Sequence, residues 1–592
     1  MQTTKTNYGA LTILTTVFFF WGFIAAGNSV FIPFCKHYFG LDQFQSQLID
    51  FAFYGAYYLG ALSLFVFSTV SGRDLVSNWG YKKGIVYGLL FSALGAITMI
   101  ISVYLNVFTA MLFGLFIVAL GFSLQQTAAN PFMIAIGDEK TGSNRINFGG
   151  GINSFGTTLG PLIVAFALFG TSAAISDKMI ASLSLNKVII LYAGVGCLFL
   201  GVAALFGFSK SLPSGKLETT EDSSTNSTIR PKKTMVTMLV ITGLLIVCFS
   251  PVFSSYRSTE AKQLTELKND LEQLTIDNNN KPILNLTQTQ AETKTTIEKE
   301  IKKIQVPLEK KRIIWLSTGI LVVFGGILFA NRSAKKNEAA WGAMKYPQLS
   351  LGMLAIFVYV GVEVAIGSNL GELLKMKAFG AYESSEITPF ISMYWGSLMI
   401  GRWSGSINVF NLSNRAKLTL KFIVPLVAFG IILALTSAAG YHVKMLYWYI
   451  GCVLIQVAAF YLTNDKPARS LAVFGGLGLL CILTGLNTSG IISIYSFLSA
   501  GLFCSIMWPC IFSLSLAGLG KYQAQGSGFL VMMILGGALI PPLQGKLSDI
   551  IGIQPSFIVG AVCFGYITFF AVFVNKLLKK QGISLDSETV SH

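Results

Sequence analysis

Two glutamines, a threonine, an asparagine and a proline interrupt an apolar run at "SLQQTAANP" (123–131). Amide side chains donate and accept hydrogen bonds together, which suits a neutral, hydroxyl-rich ligand such as a sugar. Gln126 and Asn130 are one helical turn apart on a shared face, with Thr127 one turn from Asn130 and Asn153 on the next apolar run. Pro131 frees a backbone carbonyl one turn earlier, giving a kink or a further acceptor. A polar side chain facing lipid is costly, so Gln125, Gln126, Thr127 and Asn130 are expected to face protein or a wet cavity. The plainer use of such amides is bonding between helices, at about 1 kcal/mol each.

Two carboxylates lie inside apolar runs. Asp50, in "LIDFAFYGAYYLG", is near a helix end, and Glu363, in "VYVGVEVAIGSNLG", is deeper, between Gly361 and Gly367. An intramembrane carboxylate is a functional candidate by default, and both are candidate proton carriers. Trp21, Tyr359, Tyr394, Trp395 and Trp508 sit in apolar runs close to Gly or Pro. Sugar rings stack on such faces, although bundle packing and interfacial belts are commoner uses. Trp395 and Trp508, beside small residues, are the strongest of these, and Asn369 joins the candidate binding set.

The elements that carry these residues follow from composition. Of 592 residues, 53% are hydrophobic and 12% charged, with a mean hydropathy of +0.64. Soluble domains carry about 25% charged residues. Apolar runs of about 20 residues recur along most of the chain, which makes it an all-α polytopic membrane protein. The net charge of +16 is scattered through short loops rather than gathered into a nucleic-acid surface. Arg73, Lys82, Lys83, Lys140 and Arg145 mark cytoplasmic loops under the positive-inside rule, with both termini inside. The first apolar run, from about Leu11 to Phe34, is too long for a signal-peptide core and reads as a retained span.

The eight cysteines fall within or beside apolar runs without a CxxC pair, and His37, His442 and His592 are far apart. Neither a disulfide framework nor a metal or cofactor is expected. No nucleophile–base pair or phosphate loop is present. The "GGG" at 149–151 follows no strand and suits close helix packing instead, so an enzyme is not expected.

Candidate spans near 10–34, 45–70, 84–104, 107–136, 146–170 and 188–209 form a first bundle (1–210), followed by a polar cytoplasmic linker (211–233). Two further spans lie within 234–331 and flank a charged insert (254–312). There Leu264, Leu267, Leu271 and Leu274, and Ile297, Ile301 and Ile304, form two helical stripes separated by "DNNNKP" (277–282). The pattern predicts an extracytoplasmic helical hairpin whose stripes face each other. After a second linker (332–349), a second bundle (350–577) holds eight candidate spans, two of them extra near 446–486, before a cytoplasmic tail (578–592). The total is about 14–16 spans. The parts are internally similar: Gly27, Phe39 and Gly40 match Gly367, Phe379 and Gly380 at an offset of 340. Related halves with interrupted helices are the mark of a secondary transporter whose site lies between them.

"FFFWGF", "QTAANPF", "GSNRINFGGGINSFGTTLGP", "YVGVEVAIGS", "YWGSLMIGR" and "GSGFLVMMILGGALIPP" resemble the fucose–galactose–glucose:proton symporter family of the major facilitator superfamily. The resemblance implies two pseudo-symmetric six-helix bundles rocking about a central sugar site, with import of a hexose or 6-deoxyhexose driven by a proton gradient across the inner membrane. It also implies departures. The family's Asn-Asp pair in the first helix reads Asn28-Ser29 here, and its "ETAANP" glutamate is Gln126. Gly150 replaces a family glutamine, while Asn153 is kept. Both carboxylates that couple protons in the family are therefore absent, which passes the role to Glu363, helped by Asp50. Two alternatives stand beside symport: a facilitator that is uncoupled or uses another ion, and a transporter-derived sensor or scaffold whose outer insert binds a protein partner.

Overall fold

The computed structural model describes residues 7–41, 43–72, 75–137, 142–169, 185–215, 230–275, 288–382, 386–407 and 412–583. These residues are mostly helical, with no strand among them. The first half comprises α1 (Tyr8–Phe39), α2 (Leu48–Ser71), α3 (Tyr81–Leu105), α4 (Phe108–Ala135), α5 (Gly142–Phe169) and α6 (Asn186–Phe208). The inserted segment follows as α7 (Lys232–Ser255), α8 (Thr259–Thr275) and α9 (Gln288–Lys336). The second half runs through α10 (Pro347–Leu374), α11 (Thr388–Ser406), α12 (Asn414–Ala438), α13 (Ile450–Thr463), α14 (Pro467–Asn487), α15 (Gly490–Cys504), α16 (Met507–Leu516), α17 (Gln523–Met532), α18 (Gly536–Ile551) and α19 (Ile558–Lys580).

Fifteen helical stretches among the described residues are long and apolar enough to cross a membrane. Of the expected spans, only the one near 386–410 is not among them. It corresponds to α11, which carries Arg402 and several serines and is buried along almost its whole length. Protein rather than lipid solvates this helix, so it need not be apolar.

α1 packs along α5, and α3 against α4 and α6; in the second half α10 packs along α18, and α14 against α19. α14 holds against α19 the place that α3 holds against α6.

Glycines set the closest approaches. A Cβ on Gly156 would lie 2.2 Å from the Phe19 carbonyl oxygen, and one on Gly160 2.4 Å from that of Phe23. In the second half, a Cβ on Gly536 would lie 1.7 Å from the Phe357 carbonyl oxygen. The glycine-rich stretches thus lock α5 to α1, and the start of α18 to α10, backbone against backbone.

In the insert, Leu264, Ile301 and Leu308 form a small apolar core with Leu267, Leu271, Ile297 and Ile304 packed on it. Leu274 is not part of that core. The "DNNNKP" turn lies outside the described residues, as do Arg73, Lys140, His592 and most of the linker at 211–233. α9 is continuous from the insert into its span, about 73 Å at 1.5 Å per residue. Arg145, expected as a loop charge, is buried and donates to the Met133 and Ile134 carbonyls at the end of α4.

Gly156→Ala and Gly536→Ala are expected to lower the melting temperature in detergent, each costing about 1–3 kcal/mol of packing. Gly243→Ala, whose Cβ would meet nothing within 4 Å, should not lower it.

Candidate functional site

A cavity with an empty volume of ≈ 1000 Å³, including the part open to solvent, lies between the two halves. The first half lines it with Trp21, Tyr54, Tyr57, Gln126, Asn130 and Asn153, and the second with Tyr359, Glu363, Trp395, Arg402 and Trp508. These come from α1, α2, α4, α5, α10, α11 and α16.

Arg402 is the centre of this arrangement. Its Nη2 donates to the Tyr359 hydroxyl at 3.1 Å and approaches Glu363 Oε1 at 3.5 Å. Its Nη1 crosses to the first half, donating to Asn153 Oδ1 at 3.2 Å and Ser154 Oγ at 2.8 Å. Its Nε donates to the Ser505 carbonyl at 3.3 Å. The Arg402 and Glu363 side chains are only 13% and 14% exposed, so the pair is strongly coupled and little screened. Asn153 is in turn held by its Nδ2, which donates to the Phe18 carbonyl at 2.9 Å. The Glu363 backbone carbonyl accepts from the Tyr394 hydroxyl at 2.7 Å, which fixes α11 against α10.

More polar bridges cross between the halves. Trp395 Nε1 donates to Ser29 Oγ at 3.2 Å, Ser368 Oγ to Asp50 Oδ2 at 2.8 Å, and Trp403 Nε1 to the Gly151 carbonyl at 3.0 Å. The first two lie toward the end of the bundle where α1 finishes, here called the Phe39 end. Asp50 is buried there, away from the cavity lining.

The polar stretch on α4 divides between two surroundings. Gln126 and Asn130 reach the cavity, and Gln126 Nε2 lies 3.5 Å from the Tyr57 hydroxyl. Gln125, about 100° around the helix, points into the first half. It accepts from Trp21 Nε1 at 3.0 Å and donates to Ser92 Oγ at 3.1 Å. Thr127 bonds back to the Ser123 carbonyl. Asn28 is buried beside a separate small cavity between α1, α5 and α6. Asn369 is buried and donates to the Ala365 carbonyl of its own helix. Gln125, Asn28 and Asn369 therefore do not line the central cavity, because each faces the packed side of its helix.

Sequence reasoning missed Arg402, Tyr54 and Tyr57. Arg402 stands in "YWGSLMIGR", inside the span expected at 386–410, so the intramembrane-charge rule that flagged Glu363 flags it too.

Two helical bundles around a polar cavity at their junction match a solved structure, that of FucP, a major facilitator superfamily transporter in the outward conformation. The TM-score is 0.53 at 19% identity, over 95% of this chain and 98% of that one. The fold is that of the major facilitator superfamily. No family model matches the chain. Along its sequence this facilitator-fold chain is 27% identical over 572 residues to the glucose/galactose transporter of Brucella abortus, covering 96% of this chain and 95% of that protein. It is 23% identical over 563 residues to the L-fucose-proton symporter of Escherichia coli strain K12, covering 95% and 92%. The resemblance carried by the six motifs thus extends over nearly the whole chain, to transporters rather than enzymes.

Arg402→Met leaves the buried Glu363 carboxylate without its counter-charge and is expected to destabilise the protein by about 3 kcal/mol. Adding Glu363→Gln should recover most of that loss. A double-mutant cycle of thermal or denaturant melts in detergent checks both.

Proposed function

We propose that this chain is a secondary transporter that imports a monosaccharide by proton symport and alternating access. Glucose, galactose and fucose are the sugars in its relatives' names. The observation that carries the reading is the cavity itself, a junction site lined by neutral amides, aromatic rings and one buried ion pair. Gln126, Asn130 and Asn153 bond the sugar hydroxyls, and Trp395 and Trp508 cover its apolar faces. Gln125 positions Trp21, while Asn28 and Asn369 lie buried behind the site.

Glu363 carries the proton. While ionised it occupies Arg402, whose donors also tie α5 to α11 across the junction. A proton on Glu363 cancels that attraction and turns the guanidinium donors toward the sugar, so proton and sugar favour each other's binding. Asp50 is the second carboxylate of the cycle, bonded by Ser368 of the other half only while the Phe39 end is closed. Gln126, in the place where the resemblance implies a titrating glutamate, keeps the hydrogen bonds and gives up the proton. Both termini are cytoplasmic in this reading, so the Phe39 end and the α8–α9 insert face outward from the inner membrane.

The test is radiolabelled hexose uptake into proteoliposomes, with and without an inward proton gradient. One pH unit is worth about 1.36 kcal/mol and supports up to about tenfold accumulation at one proton per sugar. Wild type is expected to accumulate sugar under the gradient, and Glu363→Gln only to equilibrate it. A wild type that equilibrates regardless of the gradient refutes coupling and leaves a facilitator. If no hexose or 6-deoxyhexose is taken up, the sugar assignment fails.

A further inference from the structure

The inserted segment spans the junction between the halves. α7 rides on the first half: Tyr58 Oη lies 2.8 Å from Thr242 Oγ1, and the Phe51 and Phe249 ring centres are 5.4 Å apart. α9 rides on the second half, with Phe324 6.0 Å from Phe357 and 5.7 Å from Tyr566, ring centre to ring centre. The two inserted helices also pack on each other.

At the Phe39 end a line of buried contacts joins the halves through this pair. Lys546 on α18 ion-pairs at 2.8 Å with both Asp549 of its own helix and Glu309 of α9. Glu309 pairs with Arg312 at 2.8 Å, and Arg312 Nε donates to Ser255 Oγ of α7 at 2.7 Å. The Arg312 guanidinium carbon lies 3.7 Å from the centre of the Tyr256 ring. That ring stacks on Phe44, in the short helix Gln43–Ser46 between α1 and α2, at 5.3 Å and 12°. The Lys546 side chain is 1% exposed.

We propose that the α7–α9 pair is a clasp which, through Glu309, Arg312 and Lys546, holds the Phe39 end of the transporter shut. The proposal rests on the alternating-access reading. Parting the halves at this end must break one link of the line: between Lys546 and Glu309 or between Arg312 and α7 the break leaves a charge short of its partner, and at the Tyr256–Phe44 stack it draws Lys546 off the Phe44 ring, whose centre is 5.7 Å from its Nζ. Breaking a buried ion pair is strongly unfavourable until water reaches the freed groups. A second ion pair, Lys36 with Glu372, also crosses between the halves at this end. Its side chains are 22% and 31% exposed, so solvent screens it and it holds less. At the opposite end, α7 is tied to the segment that follows α9 by a neutral bond, from Thr234 Oγ1 to the Trp341 carbonyl at 2.7 Å. The clasp is therefore selective for one end.

The test measures distance without requiring a substrate. Ketone-reactive spin labels on p-acetylphenylalanine introduced in place of exposed Asn106 and Ser489 bracket the Phe39 end, one on each half, and leave the native cysteines untouched. Pulsed dipolar spectroscopy of the full chain in nanodiscs gives the closed and open populations. Glu309→Gln and Lys546→Gln are each expected to raise the open fraction about tenfold. Tyr256→Leu, which removes the ring without changing the charge, should raise it in the same direction. Two populations in wild type that all three variants leave unmoved would overturn the clasp alone. One fixed distance in every form would overturn it together with alternating access.

Discussion

A guanidinium stays charged wherever it is placed, and the Arg402 side chain is 13% exposed at the junction of two bundles. Both halves must therefore supply its partners. Tyr359, Glu363 and the Ser505 carbonyl come from the second half, and Asn153 and Ser154 from the first. The helix that carries it must also be shielded from lipid, and α5, α12 and α15 pack around α11. A single buried cation thus ties together the path of α11, the use of Asn153 and the setting of Glu363.

The close backbone contacts of α5 on α1 serve the same junction. Gly22 faces the Asn153 carbonyl so tightly that a Cβ there would lie 2.0 Å from its oxygen. That proximity brings Asn153 within reach of the Phe18 carbonyl on one side and Arg402 on the other. The opening puzzle of a polar stretch on an apolar helix has a related answer. Gln125 is spent inside the first half, holding Trp21 and Ser92, while Gln126 and Asn130 face the cavity.

Much of this was legible in the sequence, for identifiable reasons. Hydropathy located the spans because lipid-facing surface must be apolar, and the glycine runs marked the tight helix pairs. It did not find α11's character as a fully wrapped helix, because burial in protein relaxes the requirement it measures. Within the site, helical phase decided what type and spacing could not. Gln125 and Gln126 are neighbours of one kind, yet only the second lines the cavity. Asn369 and Asn28 are likewise buried amides outside that cavity lining. Arg402 is legible too, since a cation inside an apolar run needs buried partners as much as a carboxylate does.

The cross-junction bonds differ in what their breaking leaves behind. Trp395 to Ser29 is a neutral pair, and such a bond contributes about 0.5–1.5 kcal/mol net once its groups are hydrated. Ser368 to Asp50 involves a buried carboxylate and is worth about 1.5–3 kcal/mol on the same scale. Both can be made and broken in a working cycle without trapping either state. The line from Lys546 to Arg312 is ionic and nearly dry, and it lies outside the cavity, beyond the reach of a bound ligand. A ligand in the cavity competes directly for the bonds of Arg402 and not for those of Lys546. The junction is thus held by two kinds of bond, one set open to occupancy of the site and one set indifferent to it. Their sum fixes how far the resting population leans toward closure at the Phe39 end.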